Sequence, residues 1–559
     1  MRAHFPTFLA LCGAILTSAV SPPAAAAEAP YDVLITHARI VDGGGNPWYR
    51  GSIAIRGGRI VAVGEVAPAM ARRTIDATDR IVSPGFIDLM GQDTLSYVQD
   101  PVTALSQLRQ GITTHVSGEG SSHAPQNERT QREAPLVDGK PVRWRTYAEY
   151  FRILEQHGLP INVTFNVGAT QVREVVMGDK DRAPTPAELE EMKRLVEQAM
   201  LDGAGGLSTS LIYPPASYAS TEELVELAKV AARHGGFYSS HMRNESSKLL
   251  EAIDETIRIG REAGIPVHVY HLKAAGKRNW PLMQQAIAKI DAARAEGLDV
   301  TADIYPYIRN GIGLVSFLPP DFFADGMAKA RAELSKPKVR RELRAELEKT
   351  DTSWENWYQH VGADWDKVLI NGSGEYPHDV AGLSVAQAAA KEKKDVWDMF
   401  FDLARAMADC APQSMNEEQK HLALRAPWVM IETDNGPVNP AKVTSVHPRA
   451  MGAFPRVLAK YVREDTVLTL EETIRRMTSL TANRLGLTDR GRIAPGMAAD
   501  LVIFDPARVR DVATFEKPLQ YSEGIDYVMI NGGLAIDDGK ATGAHVGQVL
   551  RHPSPRRPE

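Results

Sequence analysis

Pro84-Gly-Phe-Ile-Asp-Leu-Met-Gly-Gln-Asp93 decides how this chain reads. Ile81 and Val82 lead through Ser83-Pro84-Gly85 into Phe86-Ile87-Asp88, the pattern of a short buried strand that ends on polar residues. A buried parallel strand needs helices on both of its faces, so the neighbouring sequence should alternate strand and helix.

It does. Apolar runs at 113–116, 162–165, 206–208, 237–239, 267–270, 300–303 and 428–431 read as strands. Between them lie amphipathic stretches at 186–201, 221–234 and 246–263. Thr185, Ser220 and either Asn244 or Glu245 are predicted to start these helices. About eight such units predict a closed (β/α)8 TIM barrel spanning 84–488. The alternation lapses at about 308–426, where a charged helix and the aromatics Trp354, Trp357, Tyr358 and Trp365 read as an insertion on a βα loop. Loops of that kind overlie the active face of a barrel, so the insertion is expected to form a lid or pocket wall. Short alternating strands with glycine turns occur at 28–83 and return at 489–545, predicting a small β-sandwich domain built from both chain ends, with 546–559 as a tail.

The 559 residues are 43% hydrophobic and 24% charged with a net charge of −6, an ordinary composition that offers no electrostatic case for nucleic acid or anionic membranes. Arg2, the apolar run at 8–20 and the small residues Ala24 to Ala27 read as a signal peptide over 1–27. The mature protein is therefore expected to be periplasmic or secreted, without membrane attachment once the signal is removed; an uncleaved anchor is the alternative. Cys12 falls in the removed segment, leaving Cys410 and no internal disulfide, so a large core must supply stability.

Barrel enzymes carry their chemistry at the C-terminal ends of the strands. Glu119, His241, His271 and Asp434 fall there. Two imidazoles and a carboxylate suit a three-ligand metal site with one open position, and a further carboxylate can move a proton. Glu119 between two glycines could equally mark a turn, and Asp434 could cap a helix. His115, His123, His268 and His360 read as structural histidines. Arg243, Lys273 and Arg449 are cations beside these motifs, suited to an anionic small molecule. Tyr213 and Tyr305, at strand exits, could each donate to a developing oxyanion.

Taken together, PGFID at 84–88, GITT at 111–114, GLSTSLIYPP at 206–215, SHMRNE at 240–245, HLK at 271–273 and TADIYPY at 301–307 resemble the N-acyl-D-amino-acid deacylase (D-aminoacylase) branch of the amidohydrolase superfamily. HPRAMGAFPRVL at 447–458, LTANRLGL at 480–487 and GRIAPGMAADLVIFDP at 491–506 extend the resemblance over residues 30–545. It implies a metal site in which His241 and His271 are joined by a cysteine, and this chain has Ser117-Gly-Glu119-Gly-Ser121 at the cysteine's place. Glu119 is expected to replace the cysteine, with Gly120 as the other alignment. The family's His-x-His pair, which serves a weaker second metal, is replaced by Met90 and Gln92, neither suited to zinc.

The implied enzyme is thus a zinc amidohydrolase with one Zn2+ per chain, acting on a small-molecule N-acyl amino acid of D configuration. Hydroxide generated at the metal attacks the amide carbonyl, and Asp434 is the general acid/base. The resemblance gives Lys273 and Arg449 to the substrate carboxylate and Tyr213 or Tyr305 to the carbonyl. A D-peptidase, a cyclic-amide hydrolase and a metal-free binding protein are the alternatives, and the sequence leaves the oligomeric state open.

Overall fold

The computed structural model describes residue 1, residues 30–66 and residues 70–553. The signal-peptide expectation therefore lies outside the described residues, apart from Met1. No described helix is long and apolar enough to cross a membrane.

Eight parallel strands form the barrel: β1 (Phe86–Asp88), β2 (Ile112–Ser117), β3 (Asn162–Phe165), β4 (Gly206–Ser210), β5 (Phe237–His241), β6 (Val267–Val269), β7 (Val300–Ile304) and β8 (Val429–Ile431). β1 to β3 make one ladder. Val167–Gly168, just beyond β3, opens a second ladder that runs through β4 to β8. Every residue of these strands is buried, as a parallel sheet with covered faces requires.

No backbone ladder joins β8 to β1 among the described residues. The Asp88 carboxylate spans that gap, accepting from the Thr433 backbone N–H at 3.0 Å and from the Thr433 hydroxyl at 2.5 Å. Burial pushes the Asp88 carboxyl up to about 7, against the opposing pull of Thr433.

The helices follow the periodicity closely. Pro186–Asp202 starts at Thr185 and Thr221–Arg233 at Ser220, each capped by a side-chain oxygen that accepts an N–H of the first turn. The third helix begins later than predicted, at Leu249. Asn244 Oδ1 accepts from Ser246 N and Lys248 N instead, and this turn holds the preceding loop in place.

Both chain ends enter one nine-stranded sheet, with Leu501–Phe504 antiparallel to Ile81–Pro84, which in turn lies parallel to Tyr31–Ile40. Val33, Ile40, Ile53, Val82 and Leu501 form a core of their own. The described part of the stretch read as a tail is not free: Val163 N donates to Gln548 O at 2.9 Å and Leu550 N to Val163 O at 2.7 Å, so residues 548–550 lie along β3.

Between β7 and β8 the chain makes its long excursion. Its strands Ile312–Gly313, Val368–Gly372 and Asp409–Pro412 form a small antiparallel sheet. Phe317, Trp357, Trp365, Trp397 and Phe400 pack beside that sheet as a separate apolar cluster, which accounts for the aromatic density. Burying such side chains stabilises by roughly 2–3 kcal/mol each, enough to hold the excursion together locally. Cys410 is buried in this cluster. The last helix before β8, Glu417–Arg425, packs against the barrel helix Leu282–Ala295.

Candidate active site

Glu119 reaches the site through the loop after β2. Gly118 and Gly120 both have positive φ, at 102° and 67°. A Cβ on Gly118 would lie 2.4 Å from the Asn166 carbonyl oxygen, and one on Gly120 would lie 2.7 Å from Ser210 Cβ. Only glycines allow the loop to press against the ends of β3 and β4, and that close approach aims Glu119 inward. Of the two alternatives in this loop, Glu119 is the side chain that arrives.

Glu119 Oε1 lies 2.9 Å from His241 Nδ1 and 3.5 Å from His271 Nε2. One donor atom from each of these residues can be chosen so that all lie within 4.8 Å of one another. The opposite ring nitrogens both face Glu245. His271 Nδ1 is 2.8 Å from Glu245 Oε1, and His241 Nε2 is 3.6 Å from Glu245 Oε2, without a hydrogen-bond partner. One buried carboxylate therefore backs both imidazoles, an arrangement that fixes ring orientation in metal sites. Lys273 Nζ completes the layer, 2.7 Å from Glu245 Oε1 and 2.6 Å from His271 Nδ1. His271 is seated by Asp303, whose Oδ1 accepts its backbone N–H at 2.5 Å.

The electrostatics favour a cation at this point. Burial pushes Glu119 and Glu245 up, but the histidines around Glu119 and the Lys273–histidine set around Glu245 hold both well below the usual carboxylate range. For His271, burial and Lys273 act downward, and the two glutamates outweigh them to raise it to about 9. Two nitrogens and one carboxylate oxygen, with the opposite nitrogen of His271 held by Glu245, fit a divalent metal.

Asp434 stands across the cleft from this trio, with φ at 48°. It starts no helix, so the capping alternative does not apply. The neighbouring Thr433–Asp88 pair fixes its backbone. Arg449 Nη1 lies 2.5 Å from Asp434 Oδ2, and Gln92 Nε2 lies 3.3 Å from Asp434 Oδ1 and 2.7 Å from Glu119 Oε2. A single carboxamide thus bridges two carboxylates. Burial raises Asp434 above its ordinary value, and Arg449 offsets only part of that.

Tyr213 and Tyr305 both line the cleft, whose volume is about 250 Å3. The Tyr213 ring lies 5.3 Å from the His241 ring. The Tyr305 face carries Arg449 at 4.7 Å, and its hydroxyl accepts from Asn310 Nδ2 at 3.4 Å. Burial pushes both phenols well above their ordinary value, so each stays a proton donor. Behind Tyr305, burial and Lys273 bring Lys420 down to about 7.

Arg243 does not join this group. Its guanidinium is held by Glu255 at 3.0 Å and by the carbonyls of Ser217 and Ala219, so it braces the loop after β4 rather than facing the cleft. The four histidines read as structural lie elsewhere in the core. His115 meets the Tyr97 hydroxyl, His268 meets Asp303 and Thr301, His123 stacks on Tyr150, and His360 packs on Trp357. Sequence reasoning gave no role in the site to Asp88 or Gln92, and read Glu245 only as a possible helix start. Glu245 lay inside a quoted motif, four residues after His241, and that spacing was its available signal.

A barrel whose strand ends bring two histidines and a carboxylate together suits metal-assisted hydrolysis. A model described as "Amidohydrolase family" matches residues 405–535. The chain is 34% identical to a D-aminoacylase of Alcaligenes xylosoxydans xylosoxydans over 93% of this chain and 98% of that one. It is 35% identical to an N-acyl-D-aspartate deacylase of the same organism, over 94% and 96%. A crystal structure of N-acyl-D-glutamate deacylase from Bordetella bronchiseptica, complexed with zinc and a phosphonate mimic of the tetrahedral intermediate, superposes with a TM-score of 0.77 at 32% identity, covering 93% of this chain and 99% of that one. The chain belongs to the D-aminoacylase/N-acyl-D-amino-acid deacylase family.

Proposed function

We propose that this enzyme hydrolyses N-acyl-D-amino acids to a carboxylate and a free D-amino acid, with one zinc ion held by Glu119, His241 and His271. The observation that carries the reading is the convergence of those three side chains opposite the Arg449–Asp434 pair, within one cleft. The zinc in the Bordetella relative supports the choice of metal, and the names of the relatives support the D configuration. A divalent ion at this point acidifies a water and polarises the amide carbonyl.

The chain's own residues do the rest. Arg449 leaves Asp434 for the substrate carboxylate, a bidentate partner of matching geometry, and Lys273 adds positive charge from below. A phenol, Tyr213 or Tyr305, donates to the carbonyl oxygen as it gains charge. Asp434, released from Arg449 and raised by burial, takes the proton of the attacking water and delivers it to the leaving nitrogen. Gln92 holds Asp434 and Glu119 at their spacing during that transfer. Glu245 keeps the His271 imidazole in one orientation.

An assay of N-acetyl-D-amino acids beside their L enantiomers tests this. We expect turnover of the D series, lost on chelation and regained with zinc. Equal or preferential turnover of the L series would contradict it. We further propose that the mature protein acts in the periplasm or outside the cell, on the strength of the N-terminal sequence pattern.

A further inference from the structure

A second and much larger cavity, of about 900 Å3, adjoins the catalytic cleft and shares Tyr213 and Trp357 with it. Pockets of 300–1,000 Å3 hold drug-sized ligands, so this space far exceeds what an acetyl group fills. Its apolar wall comes from Ile212 and Pro214 after β4 and from Val315, Phe323, Trp354 and Trp357 of the excursion. Arg449 and Asp434 line the cleft and not the cavity. The carboxylate-bearing half of the substrate therefore stays in the cleft. Tyr213, whose ring lies 5.3 Å from the His241 ring, and Trp357 stand where the cleft meets the cavity.

The charge of the cavity is lopsided. Among the described residues, seven acidic side chains line it against two cations, and one of those, Arg243, is already bound to Glu255. Among the acids, Glu355 is 7% exposed. Its Oε1 accepts the Glu245 backbone N–H, while Oε2 has no hydrogen-bond partner among the described residues. Ser246 lies beside it, but the Ser246 hydroxyl is bonded to Asn244 Oδ1 at 3.1 Å. Burial first, and then the Glu245 carboxylate, push Glu355 up to about 8. An unpaired acid in an apolar, acid-lined cavity is costly to ionise, and an incoming cation removes that cost.

We propose that this cavity receives the acyl half of the substrate and selects a bulky, chiefly apolar acyl group bearing a basic nitrogen, which pairs with Glu355. The inference rests on the deacylase reading and names the substrate class within it. Anionic acyl groups are rejected by the surrounding carboxylates.

Three acyl groups of equal length on one D-amino acid test it: hexanoyl, 6-aminohexanoyl and 5-carboxypentanoyl, with N-acetyl as the control. The expected order of kcat/KM is amino, then neutral, then carboxy, with the amino compound about tenfold above the neutral one. Glu355→Gln brings the amino-to-neutral ratio close to one. Because that ratio compares two substrates on one preparation, partial unfolding of the variant does not mimic the result. A carboxy compound that equals or exceeds the amino compound, or a ratio that survives Glu355→Gln, overturns the proposal. Calorimetric binding of the same compounds separates the two readings. If even the N-acetyl compound is not cleaved, the deacylase reading fails. The cavity proposal then stands on tightest binding of the amino compound and falls without it.

Discussion

Arg449 Nη1 and Asp434 Oδ2 form a 2.5 Å ion pair at the centre of the cleft. The cation assigned to the substrate carboxylate is thus engaged by the group assigned to proton transfer. Substrate entry and release of the base become one event, because a carboxylate that captures Arg449 frees Asp434.

The pair predicts a displaced pH profile. Burial raises Asp434, and Arg449 is the leading influence in the other direction. In Arg449→Met the carboxyl rises further, so the base stays protonated to higher pH. The acidic limb of the kcat/KM profile should move upward by about one pH unit or more, alongside a loss of roughly 100-fold or more in kcat/KM from the missing carboxylate contact. A limb that stays in place would show that Asp434 is not the titrating base.

Gln92 offers a second test. Its amide separates the carboxylates of Glu119 and Asp434 by donating to both. Gln92→Leu leaves them facing each other with no shared donor. We expect kcat to fall about 10- to 100-fold with the zinc content unchanged, read by steady-state kinetics and by elemental analysis of the same sample. Unaltered kcat would remove Gln92 from the account.

The Asp88–Thr433 seam should appear in stability. Asp88→Ala strands the Thr433 N–H and hydroxyl in a buried gap, at a cost of about 2–4 kcal/mol in chemical unfolding. Asp88→Asn keeps an acceptor for the N–H and should cost less than half as much. Equal losses in the two variants would show that the amide of Asn, although it keeps the volume, does not replace the carboxylate as acceptor for Thr433.

Metal uptake should follow His271. In the metal-free protein His271 is raised to about 9 from 6.5, so its stabilising contribution is full below about 6.5 and is lost as pH climbs through 9. Binding a cation at Nε2 requires loss of that proton. The apparent metal affinity should therefore rise about tenfold per pH unit between 7 and 9 and then level off. Titration with zinc at several pH values checks this, and a flat response over that range would rule out competition at His271.

Much of the fold could be read from periodicity, because strand-to-helix alternation and caps such as Thr185 and Ser220 are encoded within a few residues. The same locality drew attention to Glu119, His241, His271 and Asp434, each at the end of an apolar run. What escaped were relations between distant side chains. Asp88 meets Thr433 across 345 positions, and no local pattern announces that contact. Arg243 looked free beside His241 because its partner Glu255 lies on the following helix, one element away. Glu355 gains its meaning only when the excursion folds its own aromatic core over the cleft.

Metal content of the purified protein, determined for the wild type and for Asp434→Asn, tests the central claim most directly. The account predicts about one zinc per chain in both, with turnover of N-acyl-D-amino acids lost only in the variant. Two tightly held metals, no metal in an active protein, or full activity in Asp434→Asn would contradict it.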